Sequence, residues 1–588
     1  MEAPNGFGKT ASALAAAISL IADQGFSCTY VVRTKREMER VLEEVLRFGA
    51  GARAAPLLSM ADGCLLKELE RVPLPSEVLP NYCRGSVSSG RCFFYDALQR
   101  SRRFLAFPIG GIEDFLKRCQ TFRVCPYFLA RDRAADSDLV VTTYPHLLDE
   151  ALRGQLLGMR SGWRRSLVIF DEAHNLPEMI YLTSGRAISL AEMETLGTIA
   201  ATRGRSQELM FCDKVRLWLQ SLSLKEGQEI VMTTDQAMRS SRLQVEVETL
   251  LVSQQMKTSM MFVAEPLDRA FLLRLRLFEL ASSLARALGR DDSRVLVRSH
   301  GGDVSMVVRF LDVRKEFSLM MKGLWSPVFL SATFFDYGGF SGALGVERGS
   351  FLRIGVDPLE RRCLTLVDVG VTTEYRTRGR EQFAAIASRL ANVARAARGS
   401  TASFFPSYDV LEGVASELPA FSSSELVKEE RGMRSERQAE AVRRVTSSPG
   451  CMLLGVMGGR FSEGEDFASG GLAAVSVVGL PLPPPSRELS ERMAFGRTGG
   501  GPWIYDSLVI IPAVSKVVQA AGRLFRRKGQ RGVVVLLDRR FGRKHVIELF
   551  PLWLREKVVR TDSSDFTQLS SLVEGPSRCP PEPAASQG

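Results

Sequence analysis

Three short stretches hold residues whose types and spacing suit phosphate chemistry. Residues 3–10 read APNGFGKT, the A-x-x-G-x-G-K-T spacing of a phosphate-binding loop. Gly6 and Gly8 would let backbone N–H groups approach phosphate oxygens, Lys9 would offset the β/γ charge, and Thr10 would ligate Mg²⁺. A Gly-rich turn before a helix also serves simply as a cap, so the loop needs a second site to support it. LVIFDEAHN at 167–175 supplies one. An apolar strand ends in Asp171, placed to hold Mg²⁺, and Glu172 follows as a group able to orient and deprotonate water. The plainer alternative there is a helix start with favourable acids. The third stretch, QAAGRLFRR at 519–527, sets Gln519, Gly522, Arg523 and Arg526 in a Q-x-x-G-R-x-x-R pattern. Its two arginines, three apart on a helical face, could reach a transferring phosphoryl group from a second domain. A solvated basic face is the alternative, and Arg527, Lys528 and Arg531 fit that description. With the loop and the arginines in different α/β units, ATP is expected in a cleft between them, which hydrolysis would open and close.

Such groups need rigid elements beneath them. Short β-branched runs (CTYVV, SLVIF, SPVFL, TASFF, CMLLGVM, AAVSVV, GVVVLL) alternate with helical patterns at both ends of the chain. Buried strands separated by helices indicate parallel α/β sheets, and these strands suffice for two. Residues 191–315 differ: Leu, Arg, Glu and Gln at helical spacing predict a mostly helical insertion. The Pro/Ser-rich tail 561–588 is expected to be disordered. There is no internal repeat.

Composition agrees with a multidomain globular protein of 588 residues. Lys and Arg outnumber Asp and Glu by 77 to 66, which makes a polyanion such as nucleic acid a plausible partner. The apolar run after Lys9 follows an acidic Glu2 and lacks a clean small-x-small cleavage site, so it does not fit a secretory signal. The apolar run at 470–486 is broken by prolines and too short to span a bilayer. A soluble, cytoplasmic protein without membrane partners is expected. Ten cysteines do not suggest a disulfide scaffold in so long a chain, but five lie between Cys64 and Cys125.

APNGFGKT, VVRTKREMERVLEEV, DEAH, SAT at 331–333, FFPSYDVLEGV, GGRFSEGEDF and QAAGRLFRR occur in the order of the superfamily-two DNA helicases. Their wording most resembles the XPD-type iron-sulfur helicases, DEAH-box and archaeal-like, over nearly the whole chain to about residue 559. The resemblance implies two RecA-like parallel-sheet motor domains, with a 4Fe-4S domain and a helical Arch domain inserted in the first. The expected boundaries are 1–62, 131–190 and 316–345 for the first motor domain, 63–130 for the cluster domain, 191–315 for the Arch and 346–560 for the second motor domain. Cys64, Cys83, Cys92 and Cys125 look like the family's four ligands to a [4Fe-4S] cluster, with Cys119 a bystander. Zinc could bind the same four, although the tight C-x-x-C pairs usual for it are absent.

By the same resemblance Arg33 and Thr34 would touch the DNA backbone. Ser462, Glu463 and Asp466 would couple nucleotide state to DNA grip, with Asp466 and Gln519 on the nucleotide side. Tyr144, Phe93, Phe94, Tyr95, Tyr127 and Phe128 are candidates for stacking on bases, with packing as the alternative for most of them. The implied protein is a monomeric ATP-dependent DNA helicase, moving 5′ to 3′ on single-stranded and forked DNA, with roles such as repair. Alternatives are a translocase that does not unwind and an iron-sulfur DNA-binding protein with an inactive motor. One feature departs from the pattern: almost no chain precedes the phosphate loop to form the strand that normally aims it. The chain is therefore expected to extend upstream by about 20 to 40 residues, and, as it stands, to leave a strand-wide gap in the sheet.

Overall fold

The computed structural model describes the chain apart from residues 5–6, 49–52, 70–78, 102–110, 149–165, 253–268, 323–325, 336, 347, 356–359, 398, 420–425, 434, 449, 464–471, 499–504, 526–528 and 563–588. Among the described residues, the first part of the chain holds β1 (Ser27–Val32), β2 (Ala54–Pro56), β3 (Leu139–Thr143), β4 (Ser166–Phe170), β5 (Ala187–Ser189), β6 (Glu229–Thr233), β7 (Ser293–His300), β8 (Asp303–Phe310) and β9 (Ser326–Phe329). Seven follow: β10 (Arg362–Asp368), β11 (Thr401–Phe405), β12 (Leu426–Lys428), β13 (Met452–Val456), β14 (Ala474–Val478), β15 (Arg531–Leu537) and β16 (Val558–Thr561). The chain divides into two units, residues 1–354 with 485–501, and 355–484 with 502–588.

In the first unit a parallel sheet runs β2-β3-β1-β4-β9. β1 and β4 are covered on both faces, so their apolar residues run without alternation. Helix Lys9–Gln24 starts after Gly8, whose φ of 85° only glycine adopts readily, and stops at Gly25 in the same left-handed region. Helix Lys35–Arg47 buries Met38, Val41, Leu42 and Val45, one stripe at i, i+3, i+4 and i+7.

The expected gap before the phosphate loop is not there. Glu2 forms parallel bridges with both Ser331 and Arg353. The Glu2 N–H donates to the Leu352 carbonyl at 2.8 Å, and the Ser331 N–H donates to that of Met1 at 3.1 Å. The chain beyond β9 and the segment near Arg353 hold the residues before the loop from both sides.

Beside its helices, the insertion expected to be mostly helical also carries strands. β5-β8-β7-β6 form a four-stranded antiparallel sheet. β7 and β8 make a hairpin closed by Gly301 and Gly302, with φ of 63° and 79°, the backbone a two-residue primed turn requires. Helix Arg487–Thr498, expected in the second motor domain, belongs to this unit. It docks on the insertion through Glu229, whose carboxylate accepts the Arg487 N–H at 2.8 Å. The Arg294–Glu491 and Arg492–Glu178 pairs add to the docking, at 3.0 and 2.6 Å.

The second unit holds a seven-stranded parallel sheet, β12-β13-β11-β14-β15-β10-β16. The apolar helix Ile511–Ala521 buries Val514, Val517, Ala520 and Ala521 in its core. β16 runs to Thr561, so the first residue assigned to the disordered tail is part of the sheet; 563–588 lie outside the described residues.

Candidate nucleotide and metal sites

In a parallel sheet the carboxyl ends of the strands make the ligand-binding edge, and the predicted phosphate chemistry gathers there. Lys9 is buried at the first turn of its helix, and its Nζ donates to the Ala3 carbonyl at 3.0 Å across the loop. Asp171 and Glu172 follow β4 directly. Glu172 has φ 48° and ψ 43°, a left-handed conformation that costs a non-glycine residue about 1–2 kcal/mol. Neighbours hold it there: the Glu172 N–H donates to Asp171 Oδ1 at 3.0 Å, and the Ala173 N–H to the Leu330 carbonyl at 2.8 Å.

The sequence did not single out Tyr30. Its hydroxyl donates to Asp171 Oδ2 at 3.2 Å and accepts from the Thr10 hydroxyl. One buried phenol thus joins the two candidate Mg²⁺ ligands. A tyrosine inside a buried strand is the only signal the sequence offers for it, and it carries no spacing rule. Burial raises the Tyr30 pKa, reinforced by the Asp171 charge, so it stays a donor.

Burial and the adjacent Glu172 charge push the Asp171 carboxyl well above the usual carboxylate range, against the pull of Lys9. Burial acts to raise Glu172 as well, but His174, Lys9 and Arg33 outweigh it and hold Glu172 at about 2. His174 Nδ1 lies 3.3 Å from Glu172 Oε2 and 2.9 Å from Ser331 Oγ, linking the DEAH turn to the SAT segment.

Two DNA-contact candidates on this edge have structural partners. The Thr34 side chain caps helix Lys35–Arg47, accepting the Glu37 N–H at 3.2 Å within a capping box. Arg33 lies close enough to Glu172 for its charge to lower that carboxyl's pKa. Tyr144 does not fit base stacking: it is fully buried, stacked on Phe170 with centroids 6.1 Å apart, and its hydroxyl donates to the Asp171 carbonyl at 2.7 Å. It sits at the end of β3 beneath the acids, where packing claims the ring. Phe94 and Tyr127 are buried too, while Phe93 is exposed.

In the second unit the helix carrying Gln519 ends at Ala521, and Gly522–Leu524 turn as a 3-10 segment. Arg523 therefore does not continue a regular helical face, as the pattern had implied. Its Nε donates to the Ser462 carbonyl at 2.7 Å. Ser462 is buried with its hydroxyl on the Gly459 carbonyl, so its side chain is turned away from solvent. Gly6, Asp466 and Arg526 lie outside the described residues, as does the Glu463 side chain.

Cys64, Cys83, Cys92 and Cys125 line one cavity in the first unit, with Leu65, Leu66, Leu79, Phe94 and Tyr127 around them. Cys119 does not line it. Cys64, Cys92 and Cys125 each precede a helix, Leu65–Leu69, Phe93–Ser101 and Pro126–Ala135 respectively. First-turn N–H groups point at each sulfur: Leu66 and Lys67 at Cys64, Phe94 and Tyr95 at Cys92, Tyr127 and Phe128 at Cys125. Such termini favour thiolates. Gly63 allows the convergence, since a Cβ there would stand 2.9 Å from the Tyr127 backbone nitrogen. Burial pushes the Cys64, Cys92 and Cys125 thiols up, Cys125 to about 12. Among the described residues no three His, Cys, Asp or Glu side chains stand close enough to hold a metal ion. The donor set fits a thiolate-bound cluster in type and placement, and the sulfurs would have to draw together to bind it.

Two family patterns match the chain, DEAD_2 over residues 30–193 and a helicase C-terminal domain over 390–557. A regulator of telomere elongation helicase 1 homolog from Caenorhabditis briggsae is 23% identical, covering 91% of this chain and 65% of its own length. The mouse ATP-dependent DNA helicase DDX11 is 24% identical, covering 90% and 72%. This chain thus spans about two thirds of the length of such relatives. Among solved structures, an XPD helicase superposes with a TM-score of 0.66 over 95% of each chain at 18% identity. The S. tokodaii Xpd4 structure gives 0.54 at 16%, over 94% of this chain and 99% of its own. The chain thus carries DEAD_2 and helicase C-terminal sequence regions on an XPD-like helicase fold.

Proposed function

We propose that this chain is an ATP-driven DNA helicase that moves 5′ to 3′ along single-stranded DNA, with a resident [4Fe-4S] cluster, and acts as a monomer in the cytoplasm or on DNA under repair. One observation carries the reading: Lys9, Thr10, Asp171 and Glu172 meet at one carboxyl edge of the first sheet, joined by Tyr30. Lys9 would leave the Ala3 carbonyl for the β/γ-phosphates of ATP, and Thr10 with Asp171 would hold Mg²⁺. Glu172, ionised across the physiological range, would orient the attacking water, and Arg523 with Arg526 would stabilise the transferring phosphoryl charge. The mouse relative named as an ATP-dependent DNA helicase supports the choice of DNA.

Cys64, Cys83, Cys92 and Cys125 would hold the cluster, which when bound would supply iron–sulfur bonds that fasten three helix starts together. The test is unwinding by anaerobically purified protein on forked duplexes with a single 5′ or 3′ tail. Unwinding restricted to the 5′-tailed fork is expected. Equal unwinding from either tail would contradict the polarity, and ATP turnover without any strand separation would leave a translocase.

A further inference from the structure

Glu429 is a buried carboxylate that the phosphate chemistry does not use. It follows β12 and continues its ladder, the N–H donating to the Leu454 carbonyl at 2.9 Å. Its side chain is 1 % exposed, so the charge must be repaid by good hydrogen bonds. Oε2 accepts the Val456 N–H at 2.8 Å, at the last residue of β13. Oε1 accepts the Tyr408 hydroxyl at 3.2 Å. The carboxylate also packs on Gly459, where a Cβ would stand 2.6 Å from Oε1 and only 2.8 Å from the Val456 carbonyl. The turn at 457–459 passes directly over it, with Gly458 at φ 79°.

Two groups of contrasting exposure meet through this acid. On one side Tyr408 starts a helix at the end of β11, and the Arg431 guanidinium lies 5.0 Å from its ring centroid. On the other side the turn leads within three residues to Ser462, whose carbonyl holds Arg523 at 2.7 Å. A chain of contacts therefore runs Tyr408, Glu429, the 456–459 turn, Ser462, Arg523, all within the second unit.

We propose that Glu429 is a positioning residue: it pins the turn that sets the place of Arg523, and so ties the strand-end surface around Tyr408 to the arginine's reach toward phosphate. This rests on the helicase reading above, in which Arg523 acts on the transferring phosphoryl group of a motor that moves along single-stranded DNA.

Glu429→Ala in the full chain removes both bonds. Its DNA-stimulated kcat is expected to fall about tenfold, with the KM for ATP within about twofold of wild type. Glu429→Gln should recover most of the loss, because its amide can accept the Val456 N–H and donate to the Tyr408 oxygen. Gly459→Ala, which crowds the carboxylate from the other side, should reproduce the Ala defect. Hydrogen exchange at the Val456 amide reads the pinning without any turnover, and should quicken in Glu429→Ala but not in Glu429→Gln. Basal and stimulated kcat falling in equal proportion would mean a merely structural role and overturn the proposal; so would unchanged Val456 exchange. A wild type with no DNA stimulation at all would instead overturn the helicase reading, and with it the coupling, even if exchange showed the turn to be pinned.

Discussion

The nucleotide edge and the cysteine cavity lie in the same unit, yet they are built to different degrees. At the edge every predicted group among the described residues is already held by a protein partner: Lys9 by the Ala3 carbonyl, Asp171 by Tyr30, Glu172 by its own strained turn and His174. At the cavity the four sulfurs share a lining but do not reach ligand spacing. The difference follows from what does the positioning. A parallel sheet aims its loops through backbone hydrogen bonds that exist without any ligand. The cavity is assembled from short helices, and in the proposed reading its sulfurs would give up their protons to a bound cluster. One site is held by the protein's own bonds, and the other would be completed by the cluster proposed for it.

Breaking the preorganised edge should give the largest effect. Lys9→Ala is expected to lower ATP hydrolysis by about 10³-fold, the scale of losing a phosphate clamp, in a steady-state phosphate-release assay. A loss of only a few-fold would mean that the loop is a helix cap and no more.

Next comes the cavity. Protein purified without oxygen should be brown, and Cys83→Ser, Cys92→Ser or Cys125→Ser should bleach it and abolish unwinding while basal ATP turnover partly survives. Cys119→Ser should keep its colour, since that thiol does not line the cavity. Colourless wild-type protein carrying one equivalent of zinc would replace the iron-sulfur assignment with a zinc site.

A smaller effect sharpens the comparison at the edge. Tyr30→Phe removes one hydroxyl between Thr10 and Asp171, worth about 1 kcal/mol, so the Mg²⁺ concentration for half-maximal turnover should rise about fivefold. The maximal rate should stay near wild type. An unchanged Mg²⁺ requirement would show that the phenol does not organise the metal ligands.

The subtlest effect is on the cavity without metal. Burial pushes the Cys125 thiol from an ordinary 9.0 up to about 12. The neutral form therefore persists through the mildly alkaline range, and the reactive thiolate grows only as pH approaches the raised value. Alkylation of cluster-free protein by iodoacetamide, followed by mass spectrometry, should keep accelerating at Cys125 above pH 9. A plateau near the ordinary thiol value would contradict the raised pKa.

Much of this was legible in the residues because the signals were local. APNGFGKT and DEAH fix groups on turns that follow strands, and continuous apolar runs marked β1, β4, β11, β13 and β15 as buried strands. The failures share a physical cause, in that tertiary context overrode a local pattern. Leu-rich stretches in the insertion hid a four-stranded sheet whose hairpin rests on Gly301 and Gly302. Tyr144 looked like a stacking ring and is buried packing. Arg487–Thr498 is separated in sequence from the unit whose surface holds it. Tyr30 and Glu429 act through single long-range hydrogen bonds, for which no periodicity or spacing exists.

The most direct test of the account is ATP turnover by wild type and Glu172→Gln, each with and without single-stranded DNA. The amide keeps the size of the carboxylate but cannot take a proton from water. Wild-type turnover should rise at least about tenfold with DNA, while Glu172→Gln binds ATP and DNA yet turns over at least about 10²-fold more slowly under either condition. Equal turnover by the two proteins, or a wild type indifferent to DNA, would contradict the claim that this edge is the catalytic centre of a DNA-driven motor.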